Sequence, residues 1–229
     1  MNFDSSVDSI QFHLPEGAEE RVLDMSQNKE IDGLKNIYHT ENNIVIWQRD
    51  LSDTLKMAVD RYLRSNPKFQ ASISVSSENA MTAVLDALGD DSQTELSQSI
   101  AQLVKIFCGL FELDQVELRL VVIDQAMCPK FHVDKVICRL LTTFQGIATE
   151  WLPHDKVNRD KLGLGSQGKS DNESGLYKSE ADIQRLSCGD IALLKGELWR
   201  GNESRGLVHR SPSLSSGELR LLLTIDFGR

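Results

Sequence analysis

Hydrophobic periodicity changes near residue 115, and this change limits the possible folds more than any other feature of the chain. Before it, apolar residues mostly recur every three or four positions, the spacing of helices that bury one face. After it, they form short runs or alternate with polar residues, which is typical of strands. Helices followed by strands predict an α+β fold, in which N-terminal helices support a double-sheet β-roll.

Three helices are predicted in the first half of the chain. The first is capped by Ser52 and ends at Asn66-Pro67. The second runs from about Glu78 to Leu88, with Gly89 as its C-cap. The third opens with a capping box at Ser92. Their apolar stripes are predicted to be core contacts rather than a ligand surface, because amphipathic helices normally bury that face.

Short strands are predicted on both sides of the change, with the stretch 71–76 as an edge strand. Their ranges are 43–48, 71–76, 116–123, 136–144, 148–152, 191–194, 207–211 and 219–227. The last strand also has a clear phase, because its odd-numbered residues are apolar and can pack against the helices. The residues predicted to line the interior of the roll are then Arg220, Leu222, Thr224 and Asp226.

The bulk properties predict a single cytoplasmic domain. A flexible arm is expected over residues 1–30, followed by a single domain over 31–229, helical to 115 and a β-roll from 116. The four cysteines form no Cys-x-x-Cys pair and are predicted to be free thiols. The first 20 residues lack the pattern of a signal peptide and no apolar run reaches about 18 residues, so neither secretion nor membrane contact is expected. The net charge of −9 argues against a nucleic-acid partner.

Two histidines and an aspartate form the candidate chemical site. His132 and Asp134 lie two positions apart near a strand end, so both side chains can point at one ion. His209, near the end of a later strand, supplies a third ligand. Such a set holds a metal on one side and leaves the other side open, as in non-haem iron sites. The same set suits Zn²⁺, and the alternative without a metal is a core histidine paired with a carboxylate.

Four segments within residues 116–227 form a recognisable series: His132-Val133-Asp134, Gly189-Asp190-Ile191-Ala192-Leu193-Leu194, His209-Arg210-Ser211-Pro212 and Gly217-Glu218-Leu219-Arg220. With these segments, residues 116–227 resemble the iron(II)- and 2-oxoglutarate-dependent dioxygenases. The resemblance implies a double-stranded β-helix, a jelly-roll or cupin-like fold. It implies that His132, Asp134 and His209 bind Fe(II) as the catalytic centre. It also implies that Arg220 binds the distal carboxylate of 2-oxoglutarate, a role that suits the planar fork of arginine.

The whole chain also resembles a bacterial family known only as a numbered domain of unknown function. The segments that recur in that family are Ile46-Trp47-Gln48-Arg49, His132-Val133-Asp134, Thr149-Glu150-Trp151-Leu152 and Leu207-Val208-His209-Arg210-Ser211-Pro212. Two of these segments contain the candidate metal ligands, so the two resemblances meet at the same site.

Several roles around the site stay open in the sequence. The dioxygenases have a tyrosine partner for the co-substrate, but no tyrosine falls on a predicted strand here; Thr224 or Thr142 is an alternative. His154 is an extra ligand, a substrate contact or a solvated loop residue. Glu150 either orients substrate or holds a strand end. The polar, glycine-rich stretch 153–178 is predicted to be a mobile lid over the site.

Two functions from different classes follow. The first is an oxygenase that uses Fe(II) and 2-oxoglutarate to hydroxylate a small-molecule or peptide substrate. The second is a non-catalytic metal-binding protein on a cupin-like roll that buffers or senses zinc. Arg220 distinguishes them, because an oxygenase of this kind needs a buried cation near the metal for its co-substrate, whereas a metal buffer does not.

Overall fold

Residues 29–228 are described by the computed structural model of the chain. The helices are α1 (Lys29–Leu34), α2 (Asp53–Ser65), α3 (Ala80–Leu88), α4 (Thr94–Phe111) and α5 (Asp171–Ser174). The strands are β1 (Ile44–Trp47), β2 (Gln70–Val75), β3 (Val116–Ile123), β4 (Cys138–Gln145), β5 (Glu150–Leu152), β6 (Gln184–Arg185), β7 (Ile191–Lys195), β8 (Val208–Arg210) and β9 (Arg220–Phe227). The arm predicted for residues 1–30 lies outside the described residues, except for the two residues that begin α1.

Local capping explains where the long helices begin and end. The Ser52 hydroxyl caps α2 by accepting a backbone hydrogen bond at 3.1 Å, as the sequence predicted. α3 ends at Gly89, whose φ of 64° is left-handed and favours glycine. The capping box predicted at Ser92 is wrong. The Asp90 carboxylate accepts the Ser92 N–H at 2.9 Å, so Ser92 lies inside a short 3-10 turn that precedes α4.

The strands form two sheets in which every pairing is antiparallel. The larger, called the major sheet, has the strand order β1-β7-β4-β9-β3-β2. The smaller, called the minor sheet, has the order β6-β5-β8. β2 lies at an edge of the major sheet, as predicted. Because β1 and β2 form the two edges, both halves of the chain contribute to this one sheet.

The main core lies between the helices and one face of the major sheet. Val59, Ile100 and Phe107 of the helices and Leu193 and Leu223 of the sheet are all 0% exposed there. These helical residues come from the apolar stripes of α2 and α4, so the prediction that the stripes are core contacts is confirmed. The combination of helices and antiparallel sheets confirms an α+β architecture.

β9 separates the core from the site, and its predicted phase is confirmed. The core residues of this strand are Leu221, Leu223 and Ile225, each 0% exposed. The residues of its other face, which line a cavity between the sheets, are Arg220, Leu222, Thr224 and Asp226. Next to this cavity, the two sheets meet through a second apolar cluster that includes Leu141, Ala192, Trp151 and Leu207.

Two broader expectations can be compared with the structure. The four cysteines are free thiols, as predicted; Cys108 and Cys138 are buried, while Cys128 and Cys188 are exposed. Within residues 29–228, no helix combines the length and the apolar character needed to cross a membrane.

Candidate metal centre

Two backbone hydrogen bonds hold His132 and His209 opposite each other. The N–H of each residue donates to the carbonyl oxygen of the other at 3.0 Å, which forms an isolated antiparallel bridge beside β8. Directly opposed residues in an antiparallel pair place their side chains on the same face. The two imidazole rings accordingly lie together, with their centroids 4.6 Å apart. Two residues that are distant in the sequence therefore share one site.

Both imidazole rings are oriented by backbone carbonyl oxygens. The Nδ1 atom of His132 lies 3.0 Å from the Lys130 oxygen, and that of His209 lies 3.2 Å from the Leu207 oxygen. A carbonyl oxygen can only accept, so each Nδ1 carries a hydrogen and donates it. The Nε2 atoms are then the ring atoms that can bind a metal, which is the usual arrangement of metal-binding histidines.

Asp134 completes the donor set predicted from the sequence. Its Oδ1 lies 3.6 Å from the His132 Nε2, and its Oδ2 lies 3.3 Å from the His209 Nε2. One ligand atom from each of the three residues can be chosen so that all lie within 4.8 Å of one another. Ligand atoms about 2.1 Å from a common ion are at most about 4.2 Å apart, so small shifts are enough to bind a divalent metal. The residues therefore fit the metal that the sequence implied.

The ionisation of Asp134 also favours the binding of a cation. Burial alone would raise the pKa of Asp134, but hydrogen bonds from both histidines and the charge of Arg139 outweigh it and hold the pKa below its usual value. The hydrogen bond with Asp134 in turn raises the pKa of His132. A metal would replace the proton on the His132 Nε2, because a ligand imidazole must be unprotonated at the coordinating atom.

Arg220 lies on the floor of the same cavity and is 1% exposed. Its guanidinium donates to three hydroxyl groups. The distances are 2.6 Å to the Thr149 Oγ1, 3.1 Å to the Thr143 Oγ1 and 3.2 Å to the Ser211 Oγ. No carboxylate among the residues that the structure describes forms a salt bridge with it. Burial lowers the pKa of Arg220 to about 10, so the guanidinium is still charged at neutral pH.

The two threonines proposed as co-substrate partners lie on opposite sides of the major sheet. Thr224 lines the cavity, as predicted. Thr142 is 0% exposed and lies opposite Leu223, on the face covered by the helices, so its predicted role is wrong. Its neighbour Thr143 points to the cavity side and contacts Arg220 instead. The sequence did not identify Thr143, because apolar residues occur on both faces of the stretch 136–144 and gave no clear phase.

A second arginine beside the site was not assigned a role from the sequence. The Arg139 Nη1 donates to the Asp134 Oδ2 at 2.5 Å. Its Nε and Nη2 donate to the two oxygens of Asp226 at 2.8 and 2.6 Å. Arg139 and Asp226 are direct partners across β4 and β9, and both line the cavity. The sequence signals were the closeness of Arg139 to Asp134 along the chain and the inward phase of Asp226.

The cavity that contains these groups has a volume of about 860 Å³. Met127 and Leu198 are 44% and 61% exposed where they line it. None of the residues 153–178, all of which the structure describes, lines the cavity. This segment packs behind Phe131 instead, because the Asp171 carboxylate accepts the Phe131 N–H at 2.9 Å and Leu176 and Tyr177 join the same apolar cluster. The predicted lid over the site is therefore wrong in this structure.

Other residues weighed from the sequence lie away from the metal ligands. Glu150 pairs with Arg185 and Arg210 on the neighbouring strands, so it holds the minor sheet together. His154 is exposed, contacts Arg159 at 3.3 Å and does not line the cavity. None of the three tyrosines of the chain lines the cavity, as the sequence analysis anticipated.

The chain is similar to several solved structures. A C-terminally truncated protein of Neurospora crassa, in apo form, has a TM-score of 0.50 at 9% identity, covering 91% of this chain and 92% of that one. A Pseudomonas putida prolyl-4-hydroxylase has a TM-score of 0.47 at 10% identity, covering 87% and 98%. A dioxygenase for auxin oxidation in rice also has a TM-score of 0.47 at 10% identity, covering 92% and 78%. At 9% identity, the likeness to the Neurospora crassa structure is one of fold.

Sequence comparison identifies the family. No curated protein matches the chain. A family model described as "Protein of unknown function (DUF1826)" matches residues 28–226, which is nearly the whole chain and includes the histidines, the aspartates and the arginines of the site. This match agrees with the resemblance to a numbered domain of unknown function found in the sequence analysis. The chain therefore belongs to the DUF1826 family.

Proposed function

We propose that this protein is a non-haem iron(II)- and 2-oxoglutarate-dependent oxygenase. The observation that carries the proposal is the buried Arg220, which lines the same cavity as His132 and His209, the two histidines of the donor set. A metal-binding protein without a co-substrate has no use for such a cation. An oxygenase of this class needs one to bind the far carboxylate of 2-oxoglutarate.

The surroundings of Arg220 support an anionic ligand. A buried charge is costly unless it is paired with an opposite charge. Thr143, Thr149 and Ser211 accept its hydrogen bonds, but hydroxyl groups do not neutralise it. A dicarboxylate would supply the missing charge, and the guanidinium can bind a carboxylate through two parallel hydrogen bonds. Thr224, on the same strand face, is the proposed additional hydroxyl contact for that ligand.

The spacing between the metal ligands and Arg220 also suits a five-carbon dicarboxylate. Ser211 follows the metal ligand His209 by two residues. Because the Arg220 Nη1 lies 3.2 Å from the Ser211 Oγ, the guanidinium lies beside the segment that carries this ligand. A ligand bound to the metal through its 2-oxo acid end would therefore direct its other carboxylate towards Arg220.

The order in which the strands enter the two sheets supports a double-stranded β-helix. From β3 onwards the chain visits the major sheet, the His132 bridge beside the minor sheet, and the major sheet again at β4. β5 and β6 then lie in the minor sheet, β7 in the major, β8 in the minor and β9 in the major. This alternation winds the chain around one central space, which is where the candidate site lies.

When bound, Fe(II) and 2-oxoglutarate supply the oxygen-dependent hydroxylation chemistry, with oxidative decarboxylation of the co-substrate. The residues of this chain hold and orient the reactants. His132, Asp134 and His209 hold the metal, Arg220 fixes the co-substrate, and the apolar walls of the cavity limit the access of water. We propose a small-molecule or peptide substrate, since the cavity of about 860 Å³ exceeds the space that a five-carbon acid needs.

Anaerobic titration with Fe(II) and 2-oxoglutarate tests the proposal. Wild type should develop a metal-to-ligand charge-transfer band and, after air is admitted, form succinate slowly without added substrate. Arg220→Ala should retain metal affinity but lose 2-oxoglutarate affinity, and His132→Ala should lose both. The matched control is Arg119→Ala, which removes an exposed arginine from the same cavity and should leave both affinities within about threefold.

The same titration distinguishes the alternative of a zinc-binding protein. If wild type binds Zn²⁺ tightly but neither binds 2-oxoglutarate nor forms succinate, the oxygenase proposal is wrong and a zinc buffer or sensor replaces it. If Arg119→Ala impairs 2-oxoglutarate binding as much as Arg220→Ala does, Arg220 is not the specific anchor.

A further inference from the structure

Arg139 connects a metal-ligand carboxylate to a second carboxylate, Asp226. Its Nε and Nη2 atoms form a bidentate pair with the Asp226 oxygens, and its remaining Nη1 donates to the Asp134 Oδ2 at 2.5 Å. The three side chains are 24%, 24% and 18% exposed for Arg139, Asp226 and Asp134, so all are largely shielded from water. One edge of the guanidinium thus binds Asp226, and the remaining nitrogen binds Asp134.

The network of Arg139, Asp226 and Asp134 connects the rigid major sheet to a less regular segment. Arg139 and Asp226 face each other on adjacent, paired strands of the major sheet. Asp134, in contrast, lies in the irregular segment before β4, outside the strand pairings of the described residues, and its carbonyl oxygen accepts one hydrogen bond, from the Glu197 N–H at 3.0 Å. The bidentate bond sets the rotation of the Arg139 fork, since a planar guanidinium cannot turn without breaking both hydrogen bonds. The Nη1 direction, and with it the Asp134 carboxylate, is then fixed from the rigid sheet.

We propose that Arg139, oriented by Asp226, is the positioning residue that presents Asp134 to the metal. The inference rests on the proposed metal centre, but it does not depend on 2-oxoglutarate or on turnover. Asp226 has a second effect in this arrangement. It neutralises Arg139, so that the pair orients Asp134 without adding net positive charge beside a divalent cation.

Removing Arg139 separates positioning from simple electrostatics, because the two effects have opposite signs. Arg139→Met deletes a positive charge near the metal, and electrostatics alone would tighten metal binding. If Arg139 positions Asp134, the same change weakens binding by about 10- to 100-fold, the usual effect of losing an outer-shell partner of a ligand. The measurement is a Co(II) titration of the full chain, followed by visible absorption and by competition with Zn²⁺.

Three further variants complete the experiment. Asp226→Asn should also weaken Co(II) binding, by about 10-fold or more, because the fork is released and Arg139 is left unneutralised. The double variant, Arg139→Met with Asp226→Asn, should bind Co(II) with about the affinity of the weaker-binding single variant. Both changes disrupt the same network, so their effects should not add. Arg139→Lys keeps the positive charge but loses the planar fork of the guanidinium. Its Co(II) affinity should lie between that of Arg139→Met and that of wild type. The Co(II) absorption bands should shift in all of them.

Glu117→Gln is the matched control. Glu117 lies directly opposite Asp226 on β3 and lines the same cavity, but among the described residues it forms no hydrogen bond or salt bridge with Arg139. This variant should bind Co(II) within about threefold of wild type. Unfolding curves of the metal-free proteins show whether each variant is folded before titration.

The possible results separate this inference from the proposed function. Wild-type or tighter Co(II) affinity in Arg139→Met, with unchanged absorption bands, would overturn the positioning role even if the enzyme is active. Equal losses in Glu117→Gln and Asp226→Asn would also overturn it, because the effect would then be one of total charge. Failure of the wild type to bind any divalent metal would instead refute the metal centre itself.

Discussion

The two faces of the major sheet differ in chemistry although they alternate residue by residue along the same strands. On β9, Leu221, Leu223 and Ile225 are 0% exposed against the helices, whereas Arg220, Thr224 and Asp226 face the cavity. The helix-covered face is apolar and stabilises the fold. The cavity face contains charges and hydroxyl groups whose partners lie far away in the sequence.

The difference shows where stability and function separate in this protein. The apolar side chains on the helix face pack against side chains of the helices. Truncating them should therefore lower the free energy of unfolding directly. Arg220 on the cavity face is buried without a carboxylate partner among the described residues, which is unfavourable for the free protein. Substitutions on the two faces should therefore affect different measurements.

The largest expected effect is on the helix face. Leu223→Ala should lower the free energy of unfolding by about 2–5 kcal/mol, because it opens a cavity in the main core. The affinity of the folded protein for Co(II) should not change. Leu222→Ala, on the adjacent half-buried cavity position, should cost clearly less. Chemical denaturation measures both, and equal losses would contradict the division between the faces.

A smaller effect of opposite sign is expected at Arg220. Arg220→Met should raise the free energy of unfolding of the metal-free protein by about 1 kcal/mol, because an unneutralised buried charge is replaced by an apolar chain of similar length. In the same variant, 2-oxoglutarate with Zn²⁺ should no longer raise the unfolding midpoint above that with Zn²⁺ alone. A loss of stability greater than about 1 kcal/mol would mean that Arg220 serves the fold rather than an anionic ligand.

Effects of at most about 1 kcal/mol are expected for two adjacent threonines on opposite faces. The Thr142 hydroxyl is buried and has no hydrogen-bond partner among the described residues, so Thr142→Val should be neutral or slightly stabilising. Thr143→Val removes an acceptor from Arg220 and should cost about 1 kcal/mol, together with some 2-oxoglutarate affinity. Denaturation and ligand titration of the two variants compare the faces directly. A reversed order would place the phase of β4 in doubt.

Strand phase was predictable only where one face of a strand is polar. The alternation in residues 219–227 correctly assigned Arg220, Leu222, Thr224 and Asp226 to the interior. β4 has apolar residues on both faces, because Leu140 and Phe144 pack on the helices while Leu141 packs against the minor sheet. Thr142 was therefore proposed from the sequence, as an alternative to Thr224, for the co-substrate contact. Pairing with β9 instead places Thr143 at Arg220.

The insertion at 153–178 shows a different limit of sequence patterns. Its polar and glycine-rich composition predicted a mobile lid. The structure attaches it through Asp171, which accepts the Phe131 N–H at 2.9 Å and pairs with Arg210 at 3.2 Å. Composition records how polar a segment is, but it does not reveal whether a single carboxylate finds a buried partner at long range.

The sequence by itself determined the types of element, the phase of β9 and the identity of the donor set, because these depend on local periodicity and on short motifs. Only the tertiary structure decided that His132 and His209 face each other and that Arg139 links Asp134 to Asp226. It also decided that Met127 and Leu198, and not the insertion at 153–178, line the cavity. These features depend on which strands pair and in which register. Register is set by the packing of the whole sheet, so no local pattern specifies it.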